Sequence, residues 1–135
     1  PNFTAVSIRQ HPEGKLDKLV GAFLLIEADS GDTPGFENKP LLIIRGLNPI
    51  ENFINKVDVE EFYLAATDYV KSLANAMGRT PAIVIDDHCG GSGTNRPVLF
   101  GYMSAKRGEL QRVRLVNNTD TEFNGYNIQE DTYLL

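Results

Sequence analysis

A chain of 135 residues, 41% hydrophobic, with 13 basic and 18 acidic residues and a net charge of −5, is long enough to bury a core as one domain. No apolar run approaches the length of a membrane span, and no basic start leads into an apolar stretch as in a signal peptide. The acidic balance disfavours nucleic acid, whose binding depends on neutralising phosphates, so neither nucleic acid nor membrane is an expected partner. The single cysteine, Cys89, allows no intrachain disulfide and points to a reducing, cytoplasmic setting. The chain starts at Pro1 without a methionine, as a processed product or a piece of something longer would, with a further domain of the same chain upstream.

Taken in order, residues 3–9 alternate apolar and polar like a half-buried strand. His11-Pro12-Glu13-Gly14 is turn chemistry, and residues 19–27 form a second, more apolar strand, giving an antiparallel hairpin. A loop with Gly31, Pro34 and Gly35 leads to a short apolar strand at 41–45, which is expected to stop at Gly46-Leu47-Asn48-Pro49. Residues 46–57 show no clear period. A long helix is predicted from Asp58, a good N-cap with Glu61 three residues on, to Gly78, a suitable stop. Val59, Phe62, Ala66, Tyr69, Val70, Leu73 and Met77 fall on one face at spacings of three and four, and that face is expected to be buried.

Ala82 to Asp86 reads as a strand buried on both faces. A helix between two such strands implies a right-handed parallel crossover that pairs 41–45 with 82–86. Arg45, a charge on a buried strand, is expected to pair with Asp86. Pro97 suits the first turn of a short helix reaching about Met103. Residues 110–116 and 126–134 read as closing strands. One crossover flanked by hairpins is a mixed α+β fold with a mostly antiparallel sheet.

Residues 86–95, Asp-Asp-His-Cys followed by Gly-Gly-Ser-Gly-Thr-Asn, are the densest chemical run. Neighbouring side chains on an extended chain point to opposite faces, so four adjacent ligand types do not converge on a metal, and no metal is expected. The same divergence opposes His88 and Cys89 as base and nucleophile of a Cys-dependent hydrolase, the third reading of function. Asp87 and His88 lie at the carboxyl end of a central parallel strand, where ligands tend to bind; either can accept a proton there or anchor the loop. Glu27, near the end of the second strand, is a further base candidate. The backbone donors of the loop around Gly91 and Gly93 suit an anion, although the loop lacks the Lys-Ser/Thr of a Walker loop. A local balance of +4 over residues 96–114, from Arg96, Lys106, Arg107, Arg112 and Arg114 against Glu109, suits a small anionic ligand.

This order of elements resembles the GNAT acyltransferase fold. Antiparallel strands lead into a strand–helix–strand crossover, and a short helix and two more strands finish the sheet. Asn95 to Tyr102 has the Asn-to-Tyr spacing, seven positions, often found in that family at the short helix. The resemblance covers roughly residues 3–135 and lacks the family's first strand and first two helices. It implies an N-acyltransferase that moves an acetyl or other acyl group from acyl-CoA to a small-molecule or peptide amine. Asn95 would contact the pantetheine arm, with Ile44, Arg45, Gly91 and Gly93 completing the cofactor site. Tyr102 would protonate the departing thiolate, and Asp87 or His88 would deprotonate the amine. One stretch departs from the family. The loop before the long helix, Asn48 to Asp58, has no glycine and carries Glu51 and Asp58 where coenzyme A pyrophosphate would sit. The alternative is therefore a GNAT-like module without catalysis, used for binding or assembly within a larger protein.

Overall fold

The structure is a computed structural model that describes residues 2–14, 16–86, 96–116, 122–123, 126–127 and 131–135. β1 (Asn2–Gln10) and β2 (Lys18–Asp29) form the expected hairpin, with Phe3 opposite Ile26 and Val6 opposite Phe23. β3 (Pro40–Pro49) pairs antiparallel with β2 on its other side. The loop between β2 and β3 is closed by the buried Ser30, whose Oγ accepts from Lys39 N at 2.7 Å while its own N–H donates to Lys39 O at 2.9 Å. A short helix α1 (Glu51–Ile54) and the long helix α2 (Val59–Met77) lead to β4 (Thr80–Val84). Helix α3 (Pro97–Arg107) follows, then β5 (Arg112–Val113), β6 (Glu122–Phe123), β7 (Tyr126–Asn127) and β8 (Thr132–Leu134).

The main sheet has the strand order β1-β2-β3-β4-β8-β5, and β6 and β7 form a separate ribbon. Every neighbouring pair in the main sheet is antiparallel except β3 and β4, which run parallel from Leu41↔Thr80 to Ile44↔Ile83. The fold is thus mixed α+β, with a mostly antiparallel sheet and one parallel pair.

Side-chain alternation divides the core between the two sheet faces. Leu42, Ile44, Ile83 and Ile85 point to the face covered by α2 and α3, where they meet Val70, Ala74, Leu99 and Met103. Leu41, Ile43, Ala82 and Val84 point the other way, to Ile26, Val113 and Leu115, with Phe36 of the β2–β3 loop packed against them. Fully burying each such side chain contributes about 1.5–3 kcal/mol, which is why a strand apolar on both faces can only be central.

Three local expectations are corrected. β3 does not stop at Gly46. Ala22 pairs with Asn48 and Leu24 with Arg45, so Gly46 and Leu47 both lie opposite Phe23 in a β-bulge. Gly46, at φ +63°, absorbs the extra residue, and the strand continues to Pro49. The bulge returns Leu47 to the helix-covered face, where it is buried.

The fully buried stripe of α2 is Tyr63, Thr67, Val70 and Ala74; of the expected face, Val70 is buried and Val59, Phe62, Ala66 and Leu73 pack partly buried against the core. Tyr69 and Met77 are 53% and 42% exposed. Thr67 satisfies its buried hydroxyl by donating to Tyr63 O at 2.9 Å.

α3 runs four residues past Met103, to Arg107, and the closing strands are shorter than read. Gly101 has open space where a Cβ would lie, so it does not interrupt α3. The predicted ends of α2 hold. Asp58 accepts from Glu61 N at 2.9 Å, and Gly78 is left-handed at φ +70°.

Candidate functional site

The parallel ladder between β3 and β4 ends at Ile44↔Ile83, yet β3 runs on to Pro49 against β2 alone. β4 itself ends at Val84, one residue past the last pair, so β3 outruns its parallel partner at the carboxyl end. The bulge at Gly46 lies just past the end of the ladder. Ile44 is completely buried beneath the helices. Arg45, the next residue, is directed to the opposite face and is also 0% exposed. Asp86 is half-buried just past the end of β4. Asp87, His88, Cys89, Gly91, Gly93 and Asn95 lie outside the described residues.

Three cations of the basic stretch have structural contacts at or on α3. Arg96, immediately before α3, donates from Nε to Pro49 O at 2.5 Å and ties the start of that helix to the end of β3. Arg107, at the other end of α3, donates from Nη1 to Ile85 O at 3.3 Å. Lys106 Nζ lies 5.7 Å from the centre of the Tyr102 ring, a cation–π contact. Glu27 sits 3.1 Å from Arg79, which also donates to Leu41 O at 3.0 Å; this carboxylate serves the amino end of the parallel pair, away from its carboxyl end.

Tyr102 projects from α3 toward α2 and packs on Tyr63, with ring centroids 5.2 Å apart. Its hydroxyl is buried and has no hydrogen-bond partner among the described residues. Burial, and secondarily the charge that Tyr102 would carry, push the Tyr63 hydroxyl above its ordinary value of 10.0. Tyr63 was not a candidate from the sequence. The Tyr102–Lys106 contact spans i to i+4 and depends on α3 continuing past Met103, the end expected from the sequence.

The amino end of α2 has a different character. The Asp58 carboxylate occupies one of the orphan N–H groups, and Glu60 and Glu61 fill the first turn. The residues that in the resemblance would form a glycine loop instead form the helical turn of α1, with Glu51 at its start. Three or more His, Cys, Asp or Glu side chains placed to share a metal ion are not found among the described residues. Among the described residues no helix is long and apolar enough to cross a membrane.

No family model, curated protein or solved structure matches the chain.

Proposed function

We propose that this chain is a GNAT-like domain that serves binding or assembly and does not transfer acyl groups from coenzyme A. The element order supports the family resemblance: three antiparallel strands, a helix, a strand parallel to the third, a shorter helix and a closing antiparallel pair. The observation that carries the non-catalytic reading is the amino end of α2. A helix N-terminus attracts phosphate through free N–H groups and a positive dipole end. Here a carboxylate from Asp58 caps it, and Glu60 and Glu61 add negative charge. Phosphate brought to this turn meets repulsion and a donor already engaged. The buried Tyr102 hydroxyl, held against Tyr63, adds support, because a general acid must reach its leaving group.

The second reading is acyl transfer from acyl-CoA to an amine, with Tyr102, Asp87 and His88 in the roles given above. The end of the parallel ladder at Ile44↔Ile83 favours it, because ligands tend to bind beyond the carboxyl ends of parallel strands. Thermal shifts with coenzyme A, acetyl-CoA and inorganic phosphate separate the two. The binding-module reading expects no shift from either thioester-related ligand beyond that of phosphate. A ligand at 100 times its Kd stabilises by about 2.7 kcal/mol, so a saturable shift with acetyl-CoA would overturn this reading. In that event Tyr102→Phe should slow acetyl transfer while leaving the melting temperature nearly unchanged.

A further inference from the structure

Two adjoining cavities lie at the end of the β1–β2 hairpin nearest α1. The larger, about 520 Å³, separates β1 from α2 and is lined mainly by Val6, Ile8, Phe23, Phe53, Phe62 and Ala66. From α2 its wall takes Phe62 and Tyr69 with the small Ala65 and Ala66 between them. Its volume falls in the range of small-molecule pockets, roughly 300–1,000 Å³. The smaller, about 210 Å³, is lined by Gln10, Lys18, Val20, Ile50, Asn52 and Lys56, and both cavities share Phe53 and Val57 as wall.

The charges of the two cavities differ. The larger has Arg9, Asp58 and Glu61 among its lining residues. The smaller has two charged residues in its walls, both lysines, and no acid. Neither Lys18 nor Lys56 forms an ion pair with any described residue. In a protein of net charge −5, two uncompensated cations beside one small pocket are a local exception. Like-sign charges brought together are relieved by a bound anion. Asp58 and Glu61 would repel an anion from the α2 side of the larger cavity.

We infer that this pair of cavities binds an amphiphilic anion, its apolar body between β1 and α2 and its carboxylate or phosphate head between Lys18 and Lys56. The apolar wall supplies desolvation, and the lysines select the charged head and its orientation. The larger cavity shares Asp58 and Glu61 with the amino end of α2, but the lysines that hold the head line only the smaller one, so loss of anion binding in K18E/K56E with decanol binding kept is separable from the acetyl-CoA series.

The test is titration of the full chain by calorimetry and by amide chemical shifts. The probes are decanoate, decyl phosphate, decanol and acetate, each below its micelle concentration. Decanoate or decyl phosphate should bind saturably at one site, and the difference between them identifies the head group. Decanol should bind at least about tenfold more weakly, and acetate not measurably. The exposed double variant K18E/K56E should lose at least about tenfold in affinity for the anions and nothing for decanol. Ala66→Leu, which fills the larger cavity, should abolish binding of all three decyl probes. Equal affinity for decanoate and decanol, no effect of K18E/K56E, or no saturable binding by either anion would overturn the inference.

Discussion

Replacing Asp58 separates the two physical roles that the amino end of α2 gives it. Asp58→Ala removes the hydrogen bond to Glu61 N, 2.9 Å long, and the negative charge at the positive end of a 19-residue helix. Losing such a cap costs about 1 kcal/mol, and the charge–dipole interaction a further ~0.3–1 kcal/mol at low ionic strength, giving about 1–2 kcal/mol in all. Asp58→Asn keeps an acceptor of equal capping rank and loses only the charge, so it should cost no more than about 1 kcal/mol. Urea unfolding of the three proteins at low and high salt reads the difference. The Asn deficit should shrink with salt, because screening removes the charge contribution, while the Ala deficit should keep its hydrogen-bond part. At roughly 3–5 °C per kcal/mol for a domain of this size, the Ala variant is also resolved by melting temperature. Equal stability of wild type and Asp58→Ala, or equal deficits for Ala and Asn at high salt, would refute the claim that a side-chain cap closes this helix end.

Leu99→Ala should destabilise by about 2–5 kcal/mol, since Leu99 is completely buried where α3 meets the sheet; denaturant unfolding measures it, and a loss below about 1 kcal/mol would mean that α3 is not seated as described. Tyr63 gives a pH dependence of definite sign. Its hydroxyl is raised above 10.0 in the folded state, so the stability it contributes is fully present below its unfolded value and is lost as pH rises through the folded one. Urea midpoints taken on either side of pH ~10 should therefore fall more steeply for the native chain than for Tyr63→Phe. Identical slopes would place Tyr63 in a more solvated setting.

Much of the scaffold was legible from short-range signals. The β1–β2 hairpin follows from alternation on either side of Pro12 and Gly14. The limits of α2 follow from Asp58 and Gly78, whose side-chain chemistry acts within one turn of the helix. The central place of β3 and β4 follows from apolar runs that only burial on both faces can satisfy. The expected face of α2 holds for Val70 and for Val59, Phe62, Ala66 and Leu73, which pack against the core, but periodicity counts hydrophobicity alone, so it takes in the exposed Tyr69 and Met77 and passes over the buried Tyr63, Thr67 and Ala74. β3 was read too short because glycine signals a stop and a bulge equally well, and only the β2 partner, holding Ala22 against Asn48, decides between them. At the candidate site, Arg45 was recognisable as a charge on a buried strand. The contact of Arg96 with Pro49, 47 residues away in sequence, was not.

By itself the sequence determined the opening hairpin, the long helix and its caps, and that apolar strands near 41–45 and 82–86 are central to an α+β sheet, because these rest on propensity, capping and burial within each segment. The tertiary structure decided where the parallel ladder ends, which α2 residues are fully buried, that the Tyr102 ring packs on Tyr63 with its hydroxyl buried, and that Lys18 and Lys56 line one small cavity beside a larger apolar one. Those outcomes depend on how closely separate elements approach one another, a distance that no single segment encodes.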